Sequence, residues 1–360
     1  MRYFVMLWLC IALFTLPTAA QDDTEICGRL GTEDCTLLLT SQQAMSDMDA
    51  AAFDIDMELT VSPLLLNIPF VFTTTITGDY VLNEKYRALS TNVIQWVTNT
   101  FTGITSDVNV IITLPEQLNN LSPDLPEGPI TFDLRLVDGI GYANIVKLID
   151  TSEPTAWYGV DIIAYYNEFF ALLDLSATSP FTMPESGTGA LGALVQLGGD
   201  LTRMPDKNTF TAFEGTLNGA QLLADDALRE EIEVGLLIAL EQQYGAFYED
   251  KALQEAATLY TDLLTYVDIR TERVIDPETA YLHELRVEMT FSPAEDAAQQ
   301  MTTANDPIGV AILLDFNVSF AFTLAVSDFN DVQPTTTPDN YELIPLDEML
   351  PGGFSPGSGV

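Results

Sequence analysis

Strict alternation of apolar and polar side chains, repeated along the chain, limits the possible folds more than any other feature. Phe53, Ile55, Met57, Leu59 and Val61 fall on one side of an extended segment, and Asp54, Asp56, Glu58 and Thr60 fall on the other. Successive strand residues point to opposite faces, so this segment has one buried face and one wet face, the pattern of an antiparallel sheet with a solvent side. The rhythm recurs at Ile68, Phe70, Phe72, Thr74 and Ile76, and at Val108, Val110, Ile112 and Leu114. It returns at Ile130, Phe132, Leu134 and Leu136, after which Asp138-Gly139 supplies turn chemistry leading into Tyr142-Ala143-Asn144-Ile145. Tyr281, Leu285, Val287, Met289 and Phe291 form another such face after Asp276-Pro277-Glu278. The longest run is Leu314, Phe316, Val318, Phe320, Phe322, Leu324 and Val326. Together these segments predict one broad antiparallel sheet with a strongly apolar side.

Helical spacing is confined to fewer places. Residues Thr36 to Met48 read as a short helix, and Asp161 to Leu175 as another through Ile162, Tyr165, Tyr166, Phe169 and Leu173. The main helical region runs from Gln221 to Leu264 with an interruption near Gly245. Its positions Leu222, Leu223, Leu228, Ile232, Leu236, Leu237, Leu240 and Tyr244 recur mostly at three- and four-residue steps. The segment Tyr86 to Thr102, with Val93, Trp96, Val97 and Phe101, fits either helix or strand. The expected class is therefore α+β, a large antiparallel β-sheet whose apolar face is covered by helices.

The amino terminus reads as an export signal. Arg2 is followed by an apolar run from Tyr3 to Leu16, then Pro17-Thr18-Ala19-Ala20 and the polar Gln21-Asp22-Asp23, which makes residues 1–20 a secretory signal peptide. The run is shorter than the roughly 20 apolar residues of a transmembrane helix, so no membrane span is expected after cleavage. Leu7-Trp8-Leu9 before Cys10 and Thr24-Glu25-Ile26 before Cys27 lack the small residue that a lipid-attachment site places ahead of its cysteine. Cleavage leaves Cys27 and Cys35 within segment 21–35, and export into an oxidising compartment predicts a disulfide between them. A metal-binding thiol pair is the alternative, but the chain has one histidine with which to complete a zinc set. The expected location is secreted or periplasmic.

With 53 acidic and 13 basic residues, the chain carries a formal charge of −40. Such a surface repels phosphate, which argues against nucleic acid as a partner. Charged residues are nevertheless 18% and apolar ones 47%, the composition of a folded core beneath a solvated acidic surface. No internal repeat divides the chain. Residues 36–350 read as a single domain with an insertion near 180–207, where Ser186-Gly187-Thr188-Gly189 through Gly198-Gly199 is glycine-rich, and 351–360 read as a flexible tail.

The order of elements resembles a known group. Met45 and Met48 lead into Phe53-Asp54-Ile55-Asp56-Met57-Glu58-Leu59. Val137-Asp138-Gly139-Ile140-Gly141-Tyr142 precedes Trp157-Tyr158, a helical stretch precedes Val274-Ile275-Asp276-Pro277-Glu278-Thr279, and a long strand ends in Ser327-Asp328-Phe329-Asn330. Over most of residues 36 to 350 this is similar to exported proteins of the lipoprotein-carrier fold, the broad LolA and LolB group, with the LppX and LprG type nearest. The resemblance implies a curved antiparallel half-barrel wrapped around helices, with an apolar hollow that holds acyl chains. The chain departs from that pattern in its extra length around Pro180 to Lys207 and in its helical region. It also lacks the anchoring cysteine of many LppX-type relatives.

Catalytic chemistry finds little footing. His283 falls on the apolar side of its strand near Leu285 and Val287, where a partly buried, hydrogen-bonded imidazole is the expectation, and no Gly-x-Ser-x-Gly elbow accompanies it. Asp54, Asp56 and Glu58 read as solvation. The clusters Asp47, Asp49, Asp54, Asp56 and Asp328, Asn330, Asp331 lack the glycine-centred spacing of an EF-hand loop. Gly187, Gly189 and Gly192 follow no strand in a phosphate-binding arrangement, so no cofactor is expected. The candidate ligand-lining residues are Phe70, Phe72, Phe132, Phe316, Phe320 and Phe322 on the sheet, with Leu236, Leu240 and Tyr244 on the helix side. Whether these layers close into a filled core or leave an open pocket is not decided by sequence. The expected function is a non-enzymatic carrier or binding protein for a lipid or other hydrophobic molecule, with a protein-interaction module of the same fold as the alternative.

The secreted protein is predicted to begin at Gln21 with Cys27 and Cys35 joined. Intact-mass measurement before and after reduction checks both points: a start upstream of Gln21, or no gain of a hydrogen pair on reduction, contradicts them.

Overall fold

The computed structural model describes residues 27, 29–63, 68–88, 93–119, 128–144, 157–172, 200–244, 248–293 and 316–345. The expected signal peptide, the glycine-rich passage 186–199 and the expected tail 351–360 lie outside the described residues. Helix α1 (Thr32–Ser46) leads into β1 (Ala50–Pro63) and β2 (Phe70–Leu82). Helix α2 (Val93–Gly103), β3 (Ile104–Thr113), the short α3 (Glu116–Asn119), β4 (Ile130–Val137), β5 (Ile140–Asn144), β6 (Trp157–Asp161) and α4 (Ile162–Leu172) follow. Next come β7 (Asp200–Arg203), β8 (Thr211–Asn218), α5 (Gly219–Leu222), α6 (Asp226–Tyr244), α7 (Asp250–Leu263) and a 3-10 turn (Leu264–Tyr266). The chain closes with β9 (Val267–Ile275), β10 (Leu282–Phe291), β11 (Phe316–Ser327) and β12 (Tyr341–Leu343).

These strands form a twelve-stranded open sheet in the order β12-β6-β5-β4-β3-β2-β1-β11-β10-β9-β8-β7. Pairing is antiparallel from β2 through β6 and from β7 through β10, and parallel between β6 and β12. The α+β class and the mostly antiparallel sheet agree with the alternation in the sequence. Along β1, Asp54, Asp56 and Glu58 are exposed while Phe53, Ile55 and Met57 are half-buried. The segment left between helix and strand is helical over Val93–Gly103.

Chain contacts group the protein into two compact units, each assembled from separated stretches. One comprises residues 1–45, 57–72 and 186–323, and among the described residues its core includes three clusters. Leu38 of α1 packs with Leu201, Phe213 and Ile275, joined by Leu30, Leu37 and Leu282. Leu217 and Leu222 pack with Leu228, Ile232 and Ile269. Leu240, Leu253, Ala256 and Ala257 join α6 to α7, with Leu236, Leu237 and Tyr260 around them. Cys27 and Cys35 are disulfide-bonded with Cα atoms 5.5 Å apart, tying the residue ahead of α1 to its first turn. Asn218 caps α5 by accepting hydrogen bonds from the Ala220 and Gln221 N–H groups at 3.0 and 3.3 Å. A Cβ at Gly219 would lie 1.7 Å from the Leu264 carbonyl oxygen, so only glycine admits this close approach.

The other unit comprises residues 46–56, 73–185 and 324–360. Its centre is the run β3-β4-β5-β6. Asp138 and Gly139 turn β4 into β5 with φ of 52° and 80°, the pair of positive values that a two-residue type I′ hairpin requires. Helices α2 and α4 meet through Phe101 and Tyr166, whose rings stack with centroids 5.8 Å apart.

Leu253 is fully buried between α6 and α7, so Leu253→Ala should cost about 2–5 kcal/mol, from lost transfer energy and the cavity left behind. Val234→Ala, at a position 49% exposed, should change stability by less than about 0.5 kcal/mol. Urea unfolding of both variants checks the contrast, and equal midpoints would contradict the assigned core.

Candidate functional site

An apolar cleft lies where α2 and α4 meet the end of β6. Helix α4 starts directly after that strand. The Ile162 N–H donates to the Gly139 carbonyl at 3.1 Å, and the Ala164 N–H donates to Asp161 Oδ1 at 2.9 Å, so the hairpin turn and an aspartate fix the helix start. From that start Ile162, Tyr165 and Tyr166 fall on one helix face at three- and four-residue spacing. On α2, Val97 is buried and Phe101 follows four residues later on the same face. Phe101, Val160, Ile162, Tyr165 and Tyr166 line a cleft of about 330 Å³. The Tyr165 and Tyr166 rings meet edge to face with centroids 5.8 Å apart. The volume is at the lower end of small-molecule sites, and the described lining side chains are aromatic and aliphatic. The described lining residues include no carboxylate, histidine, cysteine or serine side chain.

The candidates read from the sequence lie elsewhere. Phe70, Phe72, Phe132, Phe316, Phe320 and Phe322 stand half-buried in their strands. Phe132 belongs to the same unit as the cleft and faces Val110 across the β3–β4 pair. Leu236 and Leu240 pack against α7. The Tyr244 side chain lies outside the described residues. Among the described side chains, none of these candidates lines the cleft. Its residues were visible as an apolar stripe on the predicted helix at Ile162, Tyr165 and Tyr166. Only the fold adds Phe101 and Val160.

His283 sits against the Phe210 ring with centroids 4.5 Å apart. Asn330 Oδ1 accepts the N–H groups of Asp49 and Ala50 at 2.9 and 3.2 Å, so part of the late polar cluster fastens the start of β1. Asp49 is also salt-bridged to Arg87 at 3.0 Å. Among the described residues no group of three or more histidine, cysteine or carboxylate side chains is placed to hold a metal ion.

A row of charges occupies the opposite face of the sheet from Val160. Asp79 pairs with Asp107 and Asp107 with Arg135 in strand register, which sets the three side by side on β2, β3 and β4. Arg135 Nη2 is 2.9 Å from Asp107 Oδ2, and the guanidinium lies 4.9 Å from the centre of the Trp157 ring. Asp79 Oδ1 is buried without a hydrogen-bond partner. Burial, and then the negative charge of Asp107, pushes the Asp79 carboxyl above the ordinary carboxylate range, against the pull of the Asp107 backbone and Arg135.

The chain matches no protein-family model and no curated protein.

A raised folded-state pKa means that the fold is favoured while Asp79 is protonated. That contribution is intact below the unfolded value of 3.8 and is lost as pH rises through the raised value. Asp79→Asn should accordingly raise Tm at neutral pH, with the gain shrinking as the solution is acidified below the ordinary carboxylate range. Paired melting curves across pH check this, and a gain that grows on acidification would contradict it.

Proposed function

We propose that this chain is an exported, non-enzymatic binding or carrier protein for a lipid or another hydrophobic molecule, held between a curved antiparallel sheet and the helices on its apolar face. The observation that carries this reading is the aromatic cleft bounded by β6, α2 and α4, because its lining of Phe101, Val160, Ile162, Tyr165 and Tyr166 suits an apolar guest and no reaction. The resemblance to lipoprotein carriers, the expected signal peptide and the Cys27–Cys35 disulfide point the same way, toward an oxidising space outside the cytoplasm. Strong acidity supports the reading through solubility: a formal charge of −40 keeps a protein that handles apolar cargo dispersed.

A second reading, a protein-interaction module, draws on helix α6. Val234 and Ile238 lie one helical turn apart and are 49% and 50% exposed.

Uptake of an uncharged, environment-sensitive naphthylamine dye by delipidated protein separates the two. Wild type should bind the dye saturably. Val160→Trp, which fills the cleft with an indole, should weaken uptake at least about tenfold, the ratio that 1.4 kcal/mol supplies, while leaving the circular dichroism spectrum unchanged. Equal uptake by a folded Val160→Trp variant contradicts the assignment of the cleft. No uptake by wild type favours the interaction module.

A further inference from the structure

The rings around the aromatic cleft are set in two directions. Phe101 and Tyr166 lie 19° from parallel, with centroids 5.8 Å apart, while the Tyr165 and Tyr166 planes cross at 82°. The lining therefore combines nearly perpendicular aromatic rings with the aliphatic side chains of Val160 and Ile162. All five lining residues are half-buried, so solvent reaches each of them. An aromatic ring carries negative charge density on its faces, and a cation within about 6 Å of the ring centre is held by it. Aromatic rings grouped in this way receive quaternary ammonium groups, which ask for no hydrogen-bond acceptor.

Charge around the cleft selects the same sign. Asp161 immediately precedes Ile162, and Glu168 follows Tyr165 by three positions on α4; both are exposed. The described lining side chains include no arginine or lysine to receive a carboxylate or a phosphate. The unit that holds the cleft has four basic residues, Lys85, Arg87, Arg135 and Lys147, of which Arg87 is paired with Asp49 and Arg135 with Asp107. A chain of formal charge −40 also draws cations to its surface and keeps anions away. An anionic head group thus meets an unfavourable field at the cleft, whereas an ammonium meets a favourable field and aromatic rings.

We propose that the cleft binds a quaternary ammonium amphiphile with a single apolar chain, its cationic head against the rings of Phe101, Tyr165 and Tyr166 and its chain along Val160 and Ile162. This names the class of ligand and rests on the binding role proposed above. A volume of about 330 Å³ suits one head group and the start of one chain rather than a two-chain lipid. The rings select for positive charge, and burial of the chain adds affinity.

Decyltrimethylammonium, decanol and decanoate share a chain length and differ in the charge of the head, and each is titrated by calorimetry into the mature protein below the concentration at which it aggregates. The cation is expected to bind at least about tenfold more tightly than the alcohol, and the anion more weakly than the alcohol. Tyr166→Leu removes the ring common to both aromatic pairs and should cost the cation at least about tenfold in affinity and the alcohol less than about threefold. Val160→Trp fills the cleft without changing the surface charge, so undiminished binding of the cation to this variant would mean loose attraction to an acidic surface and overturns the proposal. Equal affinity of wild type for the cation and the alcohol overturns it too, while leaving the proposed binding role intact. Failure of all three to bind overturns both. If Tyr166→Leu does not fold, Phe101→Leu takes its place with the same expectation.

Discussion

A strand hydrogen-bonded along both edges has only two faces on which to place its side chains, and in a chain this acidic one of them must take the charges. Alternation at period two is the consequence. On β1 it sends Asp54, Asp56 and Glu58 to the exposed side and keeps Phe53, Ile55 and Met57 half-buried. On β9 it separates the ion-paired Arg270 and Glu272 from the enclosed Ile269 and Ile275. Shifting either strand by one residue would bury the whole acidic row, so the charge pattern fixes register as firmly as the apolar one does.

Elements whose hydropathy followed their geometry were legible from sequence. The long alternating strands, the Asp138-Gly139 hairpin, the helical stripe at Ile162, Tyr165 and Tyr166 and the Cys27–Cys35 pair all belong to that group. Strands β8 and β9 were harder to read because their enclosed positions are filled by residues that carry little hydropathy signal. In β8 these include Thr211 and Gly215, and in β9 they include Thr271. Strand β12, at three residues, is too short for any period to show. The face of an amphipathic helix can be read from spacing, but its partner cannot. Leu236 and Leu240 have the expected stripe, yet they meet Leu253, Ala256 and Ala257 of the next helix, where two alanines let the backbones approach. The cleft escaped notice for a related reason: Phe101 and Tyr166 are 65 positions apart in sequence, and only the fold brings their rings to 5.8 Å.

Departures from face segregation mark the chemically interesting places. Asp79 sits beside Asp107 on the polar face of its unit, enclosed enough that its carboxyl resists ionisation. The aromatic cleft lies in the same unit as this carboxyl and is the feature on which the proposed binding role rests.

Native mass spectrometry of the mature protein, isolated without detergent and followed by solvent extraction and lipid analysis, tests that account most directly. The account predicts an adduct that extraction removes and identifies as an apolar or amphiphilic molecule, and that the stripped protein takes up again. A protein that is isolated empty and refuses every added apolar ligand would contradict it, leaving the cleft as a surface irregularity and the exposed face of α6 as the place to look for function.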